Sequence, residues 1–352
     1  MHNLKTLCLI PIVFVSFFAN SIFQTESDSD KIAANSANSN PCGATYSSKK
    51  QDAFNYKIAI LGNPANPDSR YSDEQMQELK RLGFNTIQLN IAWGSRPGDE
   101  PLNLEDILPY EKEQPTEQQI KWLKEIKRRA VISKKYGFRT IFHFGAPIVK
   151  PLYKLIGNPD KIDSATSINN VQRPEIKSRY KYLLSTLAKE VPEIDDILVY
   201  NFDQEAWQGN EFGNSSLDAG IPLHERLPAF LVMMCTTWAD FRTNGIMWWE
   251  PWEISAGQMF NMLDSLPSKN FGFMLHSNIG EVQLARPVDG WLRNMSMHAQ
   301  NRNLPLVVET FLSSSNEETE DLANLAMPQL IFNQLQFICL QNVVCSNPQI
   351  LN

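Results

Sequence analysis

From residue 57 onward the apolar positions alternate between two patterns. Short runs at 57–61, 84–92, 138–144, 245–250, 271–276 and 304–309, with another starting at 197, are dense in Ile, Val, Leu and aromatics. Each is followed by a polar loop and then by a stretch whose apolar residues recur every three or four positions. The first pattern predicts buried strands and the second amphipathic helices. Start and stop signals agree. Ser72 with Gln75, Thr116 with Gln119 and Ser255 with Gln258 have capping-box spacing, and Gly83 and Gly137 stand where helices should end. Met76, Leu79 and Leu82 predict one inward stripe; Ile120, Leu123 and Ile126 predict another. Further helices are expected over 174–190 and 222–242, after Pro287 (carrying Val288, Trp291, Leu292 and Met295), and again from Pro328 through 330–337.

Seven such units, with an eighth candidate strand near 342–345, predict a parallel sheet closed into a (β/α)8 TIM barrel. Only seven residues follow Cys345, too few for a full helix, so an incomplete last βα unit is expected. A doubly wound open sheet is the competing α/β arrangement. It would more often carry a glycine-rich phosphate turn after its first strand, and the loop there reads GNPANP.

Composition adds a frame to this pattern. Lys5, the apolar run 7–18 and the small residues Ala19 and Ser21 have the layout of a cleavable signal peptide over 1–21, which places the protein in a secreted or periplasmic setting. The run is short for a membrane span and Pro11 interrupts it, and no other apolar run approaches membrane length, so no stable span is expected after processing. Residues 22–52, rich in Ser, Asn, Asp and Ala, read as a flexible leader, and 53–352 as one barrel domain. The net charge of −7, without a long basic run, argues against a nucleic-acid partner. Cys42, Cys235, Cys339 and Cys345 have neither zinc-site spacing nor the density of a disulfide scaffold, and Cys235 sits in an apolar helical stretch that should bury it.

Chemistry collects at the strand ends. Their C-terminal edges carry Trp93, His143, Asp203 and Glu205, Glu250 with Glu253, His276, and Glu309. In such barrels that face holds the active site. Burying unpaired charge is costly, so packing alone does not explain carboxylates at several strand ends. In ILVYNFDQEAW (197–207), Ile197, Val199, Asn201, Asp203 and Glu205 share one parity, and Leu198, Tyr200 and Phe202 share the other, bulkier one. Alternation then predicts that Asp203 and Glu205 face one cavity, with Trp207 just beyond. A pair of carboxylates, one protonated and one ionised, is the machinery of glycoside hydrolysis. Trp93, Trp207, Trp248, Trp249 and Trp252 cluster near these ends; some would stack sugar rings and others would belong to the core.

This layout resembles the large clan of retaining (β/α)8 glycoside hydrolases. The resemblance implies a Glu acid/base at the end of the fourth unit and a Glu nucleophile at the end of the seventh, positions held here by Glu205 and Glu309. It spans roughly 57–345 and rests on layout more than on motif text. The clan usually has Asn before the acid/base, and here Gln204 stands there. Asp203-Gln204-Glu205 is also similar to the end of the Asp-x-Glu signature of chitinase-like barrels, in which the Asp assists an N-acetyl group; Asp195-Asp196-Ile197 replaces the glycine-containing first half.

The sequence reading is therefore a secreted glycoside hydrolase acting on an oligo- or polysaccharide, without cofactor or metal. Glu205, Glu309 and Asp203 are the catalytic candidates. Trp93, His143, Asn201, Trp207, Glu250, Trp252, Glu253 and His276 are the binding candidates. Two alternatives stay open: a secreted glycan-binding barrel without catalysis, and a substrate-assisted chitinase- or hexosaminidase-like hydrolase. A metal-dependent amidohydrolase would want a His-x-His pair, and a serine hydrolase GxSxG; neither is present.

Overall fold

The computed structural model describes residues 12–17, 55–60, 71–89, 103–145, 168–200, 211–212, 215–251, 254–277 and 290–310. Among the described residues, eight strands close into a barrel in the order β1 to β8. Seven are the expected parallel staves: β2 (Tyr56–Ile60), β3 (Thr86–Leu89), β4 (Arg139–Gly145), β5 (Asp196–Tyr200), β6 (Met247–Glu250), β7 (Phe271–Ser277) and β8 (Leu306–Thr310). They pair in sequence order and in parallel from β2 to β8, as a βα repeat requires.

The eighth stave differs from the expectation. The sequence reading left residues 1–21 outside the fold and looked to 342–345 for closure. In the structure β1 (Ile12–Phe17) runs antiparallel between β2 and β8, with Phe14 opposite Ile58 on one side and Glu309 on the other. A strand slot recognises backbone N–H and C=O groups in extended geometry, so an apolar segment fits it in either direction. Residues 342–345 and the helix expected at 330–337 lie outside the described residues.

The helices follow local chemistry. α1 (Asp73–Arg81), α2 (Glu117–Lys135) and α6 (Ala256–Met262) each start from the expected reciprocal capping box at Ser72, Thr116 and Ser255. Gly83 and Gly137 adopt positive φ, +85° and +70°, just past the ends of α1 and α2, where a Cβ would be strained. α3 (Pro174–Glu190) matches the predicted span. The single helix expected over 222–242 is instead α4 (Leu223–Arg226) and α5 (Pro228–Phe241), broken where Pro228 lacks the N–H that continuation needs. α7 (Gly290–Asn301) buries Leu292 and Met295. Two stripe assignments fail: Leu82 and Ile120 are exposed, because α1 ends before the first and the second lies in the first turn of α2, ahead of the buried Ile126, Arg129, Ala130 and Ser133. Cys235 is buried, as expected, on α5.

Two apolar clusters reveal which way each strand faces. The larger joins Ala59, Ile87, Leu89, Phe142, Phe144, Ile197, Val199, Met247, Trp249, Phe273 and Val308 to the helices. The smaller holds the alternate residues Tyr56, Ile58, Ile60, Ile141, Leu198, Ile246, Trp248, Met274 and Val307, and is the filled barrel interior. On β3 the residues alternate to Ile87 and Leu89 are Thr86 and Gln88, both buried, so this strand gives the interior polar side chains. Gly272 is required by this filling: a Cβ there would sit 2.7 Å from the Trp248 ring and 2.9 Å from Pro305.

Candidate functional site

Alternation along the staves places a layer of side chains at the C-terminal end of the barrel interior. Gln88 follows Thr86 on β3, His143 follows Ile141 on β4, Tyr200 follows Leu198 on β5, and Glu250 follows Trp248 on β6. All four are buried. Register ties them together: Tyr200 is opposite Gly145 on one side and Glu250 on the other. Farther round, His276 of β7 is the register partner of Glu309 of β8.

The best-defined contact joins β3 to β4. Gln88 Nε2 lies 3.2 Å from His143 Nδ1. The His143 ring meets the Tyr200 ring edge-on, with centroids 5.5 Å apart. Burial pushes the imidazole pKa down to about 3, so the ring is neutral at ordinary pH. A buried neutral imidazole, a primary amide, a phenol and a carboxyl group form a hydrogen-bonding surface suited to a polar, uncharged ligand.

The rim above this layer is held by buried polar contacts that the sequence reading did not anticipate. Asp218, in the connection after β5, accepts hydrogen bonds at Oδ1 from Asn170 Nδ2 at 2.6 Å and Arg226 Nη1 at 3.1 Å. Gln172 Nε2 donates to the Leu217 carbonyl at 2.5 Å. Asn170 and Gln172 precede α3, so the connection after β4 is pinned to the one after β5. On the neighbouring loop, Tyr180 of α3 donates to the Glu105 carboxylate at 2.8 Å, and burial raises the pKa of that carboxyl. These contacts join residues far apart in sequence, and no local spacing signals them.

Of the sequence-predicted site residues, the structure brings His143 and Glu250 into one buried layer and sets the β7 and β8 positions of His276 and Glu309 side by side in register. Trp93, Asn201, Asp203, Glu205, Trp207, Trp252 and Glu253 lie outside the described residues. Within β5, Ile197 and Val199 pack toward the helices, whereas Leu198 and Tyr200 face the interior. The bulkier parity turns inward because a barrel of this kind is filled by large side chains. Gln88 and Tyr200 were missed: one is a polar residue inside an apolar run, the other stands on the bulkier parity of its strand. Trp248 fills the interior and Trp249 the helix layer, so both belong to the core.

The opposite mouth of the barrel holds a depression of 350 Å³ lined by Asn55, Tyr56, Asn85, Thr86, Gly137 and Arg139. Its one cation, Arg139, is committed to Asp196 through Nε and Nη2, both at 2.6 Å, so the depression offers no uncommitted charge to a ligand. Among the described residues no group of three His, Cys, Asp or Glu side chains could hold a metal ion, and no helix is long and apolar enough to cross a membrane.

No family model matches the chain, and no curated protein matches it. Solved structures similar to it include glycoside hydrolases of family GH5. A GH5-4 broad-specificity endoglucanase from Bacteroides salanitronis is 10% identical, with TM-score 0.46, covering 76% of this chain and 72% of that one. A GH5 xyloglucan-specific β-1,4-glucanase from a ruminal metagenomic library, crystallised in complex with XXLG, is 11% identical, with TM-score 0.46 and coverage of 77% and 75%. An O-GlcNAc hydrolase from Thermobaculum terrenum is 12% identical, with TM-score 0.43 and coverage of 71% and 46%. These are similarities of backbone course; the barrel itself stands on the strand order and register above.

Proposed function

We propose that this chain is a glycoside hydrolase whose site lies at the C-terminal ends of the barrel strands. The observation that carries the reading is the convergence there of Gln88, His143, Tyr200 and Glu250 in one buried layer, with the His276–Glu309 register pair on the adjoining strands. Such a layer offers donors and acceptors to sugar hydroxyls, and Glu250 brings a carboxyl group to the barrel end at which sites of this fold lie.

In the mechanism proposed, Glu309 is the nucleophile and Glu205 the general acid/base of a retaining reaction. Glu205 protonates the leaving oxygen while Glu309 attacks the anomeric carbon; water then cleaves the glycosyl–enzyme bond with Glu205 acting as base. Glu250 and His143 hold sugar hydroxyls or the catalytic carboxylates. Trp93, Trp207, Trp252 and Glu253 line the outer site, Asn201 and His276 bind or orient, and Asp203 keeps Glu205 protonated through its charge. The substrate is an oligo- or polysaccharide, not a nucleic acid, and the reaction needs no cofactor.

The test compares Glu205→Ala and Glu309→Ala on an activated aryl glycoside and a natural glycan, with azide added. Azide should rescue Glu205→Ala on the activated substrate with retained configuration, and Glu309→Ala only with inversion. Near wild-type activity in Glu309→Ala overturns the nucleophile assignment. Binding of glycans without turnover by the wild-type chain would leave a carbohydrate-binding barrel instead.

The protein is further proposed to be exported to a secreted or periplasmic location with removal of residues 1–21. That cleavage would take β1 out of the barrel and leave the facing edges of β2 and β8 to another strand, for which 342–345 is the proposed replacement. Sequencing the N-terminus of exported protein should place it near Ile22; an exported chain that still begins at Met1 refutes the processing.

A further inference from the structure

Gln88 is the unexpected member of the buried layer. It sits in a run that otherwise reads as core, yet its side chain faces the barrel interior between the apolar Ile87 and Leu89, which face the helices. Its amide nitrogen is 3.2 Å from Nδ1 of His143 on the next strand. A primary amide nitrogen carries only donor hydrogens, so the ring nitrogen facing it must accept. A neutral imidazole with an accepting Nδ1 carries its proton on Nε2.

We propose that Gln88 is a positioning residue that locks His143 in its Nε2–H tautomer. The ring then meets a ligand at this end of the barrel as a donor and never as an acceptor. For the glycoside hydrolase proposed above, on which the identity of the ligand rests, a sugar hydroxyl at this position has to accept. The lock is rigid because both residues sit on adjacent paired strands, β3 and β4, rather than on loops. Tyr200, edge-on to the imidazole, limits rotation of the ring out of the amide's reach. Burial supports the same arrangement by keeping the ring uncharged, since a protonated ring would have no acceptor to offer Gln88.

The experiment is nitrogen NMR of the full chain carrying labelled histidine, with the His143 signals identified by their loss in His143→Gln. The wild-type protein should show His143 as the Nε2–H tautomer. Gln88→Glu places a carboxylate against Nδ1 and should draw the ring proton to that nitrogen. Gln88→Leu should give a mixture of tautomers and weaken binding of a glycan substrate about tenfold, the scale of one neutral hydrogen bond. An Nδ1–H signal in the wild-type protein overturns the proposal, as does an unchanged tautomer in both variants. If Gln88→Leu does not fold, the wild-type spectrum and Gln88→Glu decide the matter. Because the tautomer is read without turnover, a correct tautomer in a chain that cleaves no glycan would refute the hydrolase reading and leave the lock standing.

Discussion

The two ends of the barrel interior are built on the same alternation and use it in opposite ways. At the N-terminal end, the fully buried Asp196 accepts from Arg139 at both oxygens, from the Ile246 N–H at 2.7 Å and from the Trp248 indole at 3.4 Å. Arg139 also donates to the Asn244 carbonyl at 2.8 Å, and its guanidinium stands 5.8 Å from the Tyr56 ring, which meets Trp248 edge-on. Every oxygen of that carboxylate is answered from within the protein, which is the condition for burying a charge at all. The C-terminal end carries an amide, a neutral imidazole, a phenol and a carboxyl group over the same filled middle. One end is a closed ion pair; the other is a set of buried hydrogen-bonding groups, the layer proposed above to serve a ligand.

The strongest way to break the contrast is to remove Asp196. Asp196→Ala leaves Arg139 beside the Tyr56 and Trp248 rings without its paired carboxylate and should cost about 3 kcal/mol, the low end of the range for breaking a buried pair because Arg139 retains partial exposure. Urea unfolding measures this. The double variant Arg139→Met/Asp196→Leu should recover most of the loss, and equal destabilisation of both proteins would show that the pair is not the cause.

At the other end the sign of the trade reverses. Glu250→Gln should lower kcat/KM about a hundredfold, some 2.7 kcal/mol of transition-state stabilisation, with little change in the unfolding midpoint. If turnover is intact and stability falls instead, Glu250 belongs to the scaffold.

The middle layer links the two. Gly272→Ala forces a methyl against Trp248 and Pro305 and should destabilise by about 2 kcal/mol, and Trp248→Phe in the same chain should relieve part of that. Calorimetric unfolding of the four proteins in that cycle reports the coupling, and strict additivity would refute the clash.

The smallest effect is in pH. The unfolded His143 takes up a proton as pH falls through 6.5, whereas the folded ring resists until about 3. Between those values the unfolded state binds more protons, so this group's contribution is complete above pH 6.5 and is lost progressively as pH falls, by about 1–2 kcal/mol at pH 5. His143→Gln should flatten that part of the stability profile; an unchanged slope would mean the ring is not held neutral.

Much of this was legible along the chain, for reasons that differ by element. The three capping boxes and the two glycine stops are local contracts, completed within a turn by residues three or four apart, so spacing alone revealed them. The seven parallel strands were legible because a stave buried on both faces must be an apolar run. His143 and Glu250 stood out because titratable side chains at the ends of such runs need a reason to be there.

Gln88 and Tyr200 did not stand out. Which parity of a strand faces the barrel axis depends on the neighbouring staves, and both faces here carry bulky residues, so hydrophobicity could not choose between them. The break at Pro228 follows from a local rule that the apolar continuity of 222–242 concealed. The sequence by itself determined the repeat, the direction of the seven staves and the residue types at their ends, since these follow from local periodicity and caps. Only the tertiary structure decided which faces turn inward, that Asp196 pairs with Arg139 at one end while Gln88 and His143 pair at the other, and that Ile12–Phe17 runs antiparallel in the last slot. Those outcomes rest on contacts between residues tens to hundreds of positions apart, and an open backbone edge accepts any extended segment whose N–H and C=O groups can be paired.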